Sequence, residues 1–331
     1  MPAAFVNCDW GTSRLRLRAV RIDPWQVTTE FRSLDGVAAL AELHPPAVRP
    51  QGYRSLLLDG LQPLLAKQPD LLTEAPILIS GMASSSIGWQ ELPYARLPQA
   101  VDGSGLTCHE LPPVESRLGA HRVLLISGVC SDSDVMRGEE TELVGLFSLP
   151  LGGRLAENSL VIKPGTHSKH LRVTAGRLVS FQTFMTGELF DVLSRHSILQ
   201  HSLENEPQGT PVADETPDLR AGVRHALSLP LAASLFRVRT RQLLNGVTGA
   251  SNRAFLSGML IGAELAYLQE SGLAELPLVL CATQPLANHY LAALEELGVM
   301  ERVTVLSADE TEMLSARGQA VVWRRIAAAR H

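Results

Sequence analysis

Five residues near the start of the chain, Asp9-Trp10-Gly11-Thr12-Ser13, bring a carboxylate, a glycine and two hydroxyls together. They follow the apolar run Phe5-Val6-Asn7-Cys8 and precede residues 15–22, where apolar and charged side chains alternate at the period of a strand. On this pattern the five lie in a tight turn between two strands. Such a turn suits a nucleotide phosphate. Glycine lets the backbone come close, amides and hydroxyls donate to phosphate oxygens, and Asp9 can hold Mg²⁺ directly or through water. A polar hairpin turn with no ligand accounts for the same composition.

Pro164-Gly165-Thr166-His167-Ser168-Lys169 is a second glycine–hydroxyl turn between apolar runs. Two such turns, one in each half, could grip a triphosphate, with Thr166, Ser168 and the amides near Gly165 on the phosphates. Lys169 or Lys163 would supply positive charge where negative charge develops in phosphoryl transfer. The Gly-Lys-Ser/Thr of a Walker A loop is absent. Val135-Met136-Arg137-Gly138-Glu139-Glu140-Thr141-Glu142 puts acidic residues at the start of a helix, where the helix dipole favours them. The chemical reading makes Glu139 or Glu140 a general base that takes a proton from a substrate hydroxyl; Asp132 and Asp134 are rivals read as solvated loop residues. Gly81-Met82-Ala83-Ser84-Ser85-Ser86-Ile87-Gly88-Trp89 follows a short apolar strand. Its hydroxyls could bind a polar substrate with Trp89 as a wall, or it is a serine loop beside a core tryptophan. Thr186 reads as a helix N-cap. Gly258 and Gly262, one turn apart on a helix, allow close packing or a face for an adenine ring; Leu280-Cys281-Ala282-Thr283-Gln284 ends a strand that could abut a nucleotide.

These motifs need elements to position them. Strands are expected near residues 5–8, 15–22, 26–33, 77–79 and 123–126, with helices at 53–67 and 139–149. Gly152-Gly153 reads as a boundary, after which the strand–turn–strand pattern restarts. Helices then dominate, near 187–194, 219–227, 253–269 and 286–297, with strands at 278–280 and 303–305 between them. Residues 204–217, rich in proline and polar side chains, read as an exposed loop. The restart predicts two α/β lobes, residues 1–152 and 153–331, with the last helix, about 309–329, able to pack on either.

The chain has 331 residues and a net charge of −5, with no basic block or stripe, which argues against nucleic acid as a partner. No apolar run is long enough to span a bilayer, and no secretion signal precedes the first strand. Four scattered cysteines fit a reduced, cytoplasmic setting.

Taken together and in this order, Asp9-Trp10-Gly11-Thr12, Gly81-Met82-Ala83-Ser84, Gly88-Trp89, Val135–Thr141, Pro164–Lys169, Met185–Leu189 and Phe255-Leu256-Ser257-Gly258 resemble the 2-dehydro-3-deoxygalactonokinases. The resemblance covers most of the chain and is most specific in its Met-Arg-Gly-Glu-Glu-Thr and Pro-Gly-Thr-His runs. It implies a two-lobed actin-like ATPase fold, a duplicated ribonuclease H-like motif with an interlobe cleft. It also implies ATP- and Mg²⁺-dependent phosphorylation of the terminal hydroxyl of 2-dehydro-3-deoxy-D-galactonate in galactonate catabolism. Closure of the lobes would exclude water. By the same resemblance Asp9, Gly11 and Thr12 form the first phosphate turn, Asp9 holding the metal, and Gly165, Thr166, His167 and Lys169 the second. Gly258, Ala282 and Thr283 flank adenosine, and Glu139 or Glu140 is the base. Arg14, Ser84, Ser85, Trp89 and Arg137 are assigned to the sugar acid, Arg14 to its carboxylate. Cys281-Ala282 departs from the glycine that related sequences tend to carry, placing a methyl beside the nucleotide. Other sugar or keto-deoxy acids, or a sensor that binds without transferring phosphate, are the competing readings. A homodimer is compatible with the sequence.

Overall fold

A computed structural model describes residues 3–203 and 216–328. The first ten strands are β1 (Ala4–Trp10), β2 (Leu15–Arg21), β3 (Gln26–Ser33), β4 (Ile77–Gly81), β5 (Ala95–Arg96), β6 (Gln99–Ala100), β7 (Cys108–Ser116), β8 (Gly119–Ile126), β9 (Val129–Cys130) and β10 (Val135–Met136). Among them lie helices α1 (Val37–Leu43), α2 (Arg49–Lys67), α3 (Pro69–Leu72), α4 (Glu139–Phe147) and α5 (Gly152–Leu155). There follow β11 (Asn158–Lys163), β12 (Ser168–Thr174), β13 (Arg177–Phe184), α6 (Thr186–His196), α7 (Thr216–Ser228), α8 (Leu231–Ser234), α9 (Arg237–Asn245) and α10 (Gly249–Glu270). The chain ends with β14 (Leu278–Leu280), α11 (Leu286–Glu296), β15 (Val303–Val305) and α12 (Ala308–Ala328).

The chain divides into two compact units. One comprises Met1–Glu157, Thr174–Ser180 and Glu312–His331; the other comprises Asn158–Val173 and Phe181–Thr311. In the first, a sheet runs β3-β2-β1-β4-β8-β7. β1 pairs antiparallel with β2 and parallel with β4, and β4 pairs parallel with β8. In the second, the order is β13-β12-β11-β14-β15, with β14 parallel to both β11 and β15. The same five-strand order occurs twice: two hairpin strands, a first strand, then two parallel strands, with helices leading to β4, β14 and β15 and the β7 hairpin strand leading to β8. This repetition is the α/β duplication of the actin-like fold. Short β6 pairs with Arg177 and Leu178 at the start of β13, all of them in the first unit.

Each unit has its own core. In the first, Leu57, Leu61, Leu64 and Leu65 of α2 pack on Leu15, Leu17 and Ile77 of the sheet, and all seven are fully buried. Trp10, Tyr53 and Trp89 form an aromatic cluster, with Trp89 stacked on Tyr53 at 6.1 Å and Trp10 edge-on to both. Each such pair adds about 1 kcal/mol beyond the area it buries. On the sheet's other face Asn7 donates to Ser315 and Gln319 of α12, at 3.1 and 2.8 Å. In the second unit, α10 carries an almost wholly apolar buried face from Phe255 to Leu268 and packs against α7. Among the described residues no helix is long and apolar enough to cross a membrane.

Several elements differ from the sequence expectation. The helix expected at 53–67 starts earlier, at Arg49, because Pro50 is tolerated in the first turn of α2. β7 contains Pro112 and Pro113 and survives them through a shift of register between Leu111 and Val114. Of the stretch read as an exposed loop, residues 204–215 lie outside the described residues, and Thr216 and Pro217 begin α7. Residue 329 of the expected last helix also lies outside them.

Candidate functional site

In the first unit the chemistry collects where the parallel strands end. Asp9 is not a turn residue: it lies in β1, paired with Arg16 of β2 and Ser80 of β4. Its neighbour Trp10 is fully buried in the core. Alternation along a strand sends Asp9 and Trp10 to opposite faces, so the carboxylate is half-buried at the end of β1 while the indole fills the interior. The turn proper is Gly11 to Arg14, closed by a Gly11 N–H bond to Arg14 O of 2.9 Å. The first amides of α1 dock on it: Val37 donates to Gly11 O and Ala38 to Thr12 O, both at 3.0 Å. Thr12, Ser13 and Arg14 are left exposed.

β4 runs beside β1 and ends at Gly81, which pairs with Trp10. Gly81 has φ +98°, and a Cβ there would lie 2.6 Å from Trp10 O, so both conformation and space demand glycine. Two of the three serines that follow, Ser84 and Ser85, are turned inward, and Ser86 is exposed. Ser84 is fully buried; its hydroxyl donates to Gly81 O and accepts from Arg137 at 2.8 Å. Ser85 spends its proton on Met82 O at 2.7 Å. Arg137 also donates to Leu92 O at 2.8 Å and lies over the Tyr94 ring at 3.9 Å. Ser84 and Arg137 thus tie the loop to the residues that precede α4, and the Ser85 hydroxyl is engaged within the loop. Trp89, 8% exposed, belongs to the aromatic cluster of the core.

Gly138, at φ +110°, lies against Gly81 and delivers Glu139 and Glu140 at the N-terminus of α4. Their environments differ. The Glu140 carboxyl is buried, with both oxygens accepting the Gly138 N–H, at 3.0 and 2.8 Å, and Oε1 the Thr141 hydroxyl at 3.0 Å. Burial, then the charge of Glu139, push its pKa up to about 8 against these hydrogen bonds. Glu139 is half-buried. Asp132 is exposed beside Arg96, and Asp134 takes the Val135 N–H.

In the second unit the Pro164–Ser168 turn follows β11. A Cβ on Gly165 would meet nothing within 4 Å, so the backbone faces open space there. Thr166 and His167 are exposed. The α6 N-terminus abuts this turn: Glu188 N–H donates to Thr166 O at 3.0 Å, and the Glu188 carboxylate pairs with the His167 ring. Ser168 and Lys169 are buried, Lys169 donating to His167 O at 3.0 Å, so neither presents a free group on the outer side of the turn. Thr186 is not an N-cap. It is the first residue of α6, and its hydroxyl goes to Glu264.

The expected adenosine face is only partly open. A Cβ on Gly258 would lie 2.0 Å from Leu219 O, and one on Gly262 2.9 Å from Val223 Cα. Both glycines let α7 pack tightly on α10. Ala282 is buried in the core, while Thr283 is exposed at the end of β14, next to β11. Beside it a cavity of about 160 Å³ is lined by Thr216, Leu219, Pro285, Asn288, His289 and Ala292. Sequence reading missed this cavity, because its lining comes from two helices far apart in the chain.

Among the described residues no cluster of three or more His, Cys, Asp or Glu could hold a metal on its own. A lone half-buried carboxylate at Asp9 fits Mg²⁺ carried by a nucleotide, since Mg²⁺ takes one or two carboxylates, phosphate oxygens and waters.

The chain matches the family model described as 2-keto-3-deoxy-galactonokinase over residues 9–317. It is 35% identical over 326 residues to a Rhizobium meliloti (strain 1021) protein assigned as a 2-dehydro-3-deoxygalactonokinase, covering 96% of this chain and 97% of that one. It is 29% identical over 315 residues to the Escherichia coli (strain K12) 2-dehydro-3-deoxygalactonokinase, covering 93% and 94%. A crystal structure from Sinorhizobium meliloti of a protein assigned to the same activity aligns over 97% of this chain and 96% of that one, with a TM-score of 0.77 and 32% identity.

Proposed function

The chain belongs to the 2-keto-3-deoxy-galactonokinase family, carbohydrate kinases, and from that premise we propose that it transfers the γ-phosphoryl group of ATP to the terminal hydroxyl of 2-dehydro-3-deoxy-D-galactonate, giving the 6-phosphate. The observation that carries the reading of the site is the gathering of Asp9, the Gly81 loop and the α4 N-terminus at the ends of the parallel strands β1 and β4, where α/β sheets bind their ligands.

Glu139 takes the proton of the sugar-acid hydroxyl. The support is the contrast with Glu140, whose carboxyl is turned inward onto Gly138 and Thr141. Asp9 carries the nucleotide's metal. Mg²⁺ on the phosphates supplies the charge neutralisation that phosphoryl transfer needs. Gly11 and Thr12 offer the first phosphate turn, through the exposed Thr12, and Gly165, Thr166 and His167 the second, through the open space at Gly165 and the exposed Thr166. Arg14, exposed beyond the first turn, meets the substrate carboxylate. Thr283 and the cavity beside it take the adenosine. The enzyme acts in the cytoplasm on a small molecule, in galactonate catabolism.

The test is incubation with ATP and a panel of keto-deoxy sugar acids. ADP release selective for the galacto epimer is expected. Equal transfer to other sugar acids would reassign the substrate, and binding without ADP release would make the protein a sensor.

A further inference from the structure

Behind the Pro164–Ser168 turn runs a buried hydrogen-bond chain whose direction can be read proton by proton. Glu264 of α10 is 3% exposed, and its carboxylate only accepts. Oε1 takes the Nε2–H of His170 at 3.0 Å. Oε2 takes the Tyr290 hydroxyl at 2.7 Å and the Thr186 hydroxyl. The single proton of Tyr290 is thereby spent, so Ser168, 3.0 Å away, must donate to Tyr290 Oη. Ser168 Oγ in turn accepts the N–H of Gly165 at 3.3 Å. Every donor therefore points towards Glu264: Gly165 to Ser168, Ser168 to Tyr290, Tyr290 to Glu264. A second arm reaches Glu264 from Thr186, which opens α6. The two arms hold the two pieces of backbone that meet at the turn. Gly187 lies so close that a Cβ on it would be 2.5 Å from Gly165 O.

We propose that Glu264 is a positioning residue for the nucleotide. It fixes the direction of this chain, and so the shape of the Gly165-Thr166 backbone and its seat against α6. The inference rests on the reading of this turn as a phosphate site. It also commits the Gly165 amide inward, leaving phosphate contact to the rest of the turn. An amide at residue 264 brings donors of its own. Glu264→Gln lets Tyr290 turn its proton onto Ser168, and the Ser168 proton then loses its acceptor.

The experiment measures KM for ATP and for the sugar acid in Glu264→Gln, Ser168→Ala and the double variant, with Ser168→Thr as rescue. The expected result is a rise of about tenfold in KM for ATP in both single variants, with KM for the sugar acid held within about twofold. The double variant should be no worse than the more impaired single one, because both act through one chain. Ser168→Thr, which keeps the hydroxyl, should return to near wild type. Wild-type KM for ATP in Glu264→Gln, or parallel shifts for both substrates, would overturn the inference. If Glu264→Gln does not fold, Ser168→Ala decides alone: an unchanged KM for ATP overturns it. Wild-type protein that transfers no phosphate from ATP would overturn the phosphate-site reading itself, and this inference with it, before any variant is compared.

Discussion

Replacing Glu140 with glutamine should stabilise the first unit, and increasingly so as pH rises. The buried carboxyl has its pKa raised from the ordinary 4.5 to about 8, first by burial and second by Glu139. For an acid shifted upwards, the native state binds more protons than the unfolded chain between those two values. Stability is therefore fully present below about pH 4.5 and is lost as pH climbs through about 8. At ~1.4 kcal/mol per unit, the loss reaches about 3 kcal/mol at pH 7 and about 5 kcal/mol above pH 8. Glutamine stays neutral, keeps an oxygen for the Gly138 N–H, and can donate to Thr141. The assay is urea unfolding followed by tryptophan fluorescence at pH 5, 7 and 9. All four tryptophans, Trp10, Trp25, Trp89 and Trp323, lie in the first unit, so the signal reports that unit alone. The gain should be below about 1 kcal/mol at pH 5 and grow by several kcal/mol at pH 9. A variant destabilised equally at all three values would refute the reasoning, because it would mean that the native state needs an ionised carboxylate there.

Other outcomes follow from the same geometry. Glu139→Gln should lower kcat by about 10²- to 10⁴-fold without destabilising the first unit, since it removes a charge that raises the Glu140 pKa, whereas Glu140→Gln should keep turnover within a few-fold; steady-state kinetics of the pair decides which carboxylate takes the proton. Asp9→Asn should abolish turnover and leave the fold intact by circular dichroism, and a near-normal kcat would remove the metal role. Gly258→Ala should cost about 2–3 kcal/mol in the second unit, despite alanine's better helix propensity, because its Cβ would press on Leu219 O; thermal unfolding by circular dichroism would show the drop.

Much of the scaffold was legible because strands declare themselves by period. Residues 26–33, 278–280 and 303–305 are strands in the structure at the bounds their pattern predicts. The glycine turns were legible because each interrupts runs rich in apolar residues. Tertiary packing decided the rest. Whether Asp9 sits in a turn or a strand depends on its pairing with Arg16 and Ser80, and polar composition carries no register. A glycine at position 258 reads alike as an open face and as a helix contact until α7 is laid on it. Ser84, Ser85 and Arg137 have the residue types of a substrate site, but composition could not show that Arg137 bonds Ser84 and the Leu92 carbonyl or that Ser85 bonds the Met82 carbonyl. Glu264 did leave a trace: one acidic residue within the apolar run of α10, where a buried charge must have partners.

The central claim, phosphate transfer to the terminal hydroxyl of a keto-deoxy sugar acid, is tested most directly by identifying the product. The purified protein, ATP, Mg²⁺ and 2-dehydro-3-deoxy-D-galactonate are followed by phosphorus and carbon NMR. One phosphate monoester at C6 should form in step with ADP. Inorganic phosphate with no sugar ester, or no ADP at all, would contradict the account.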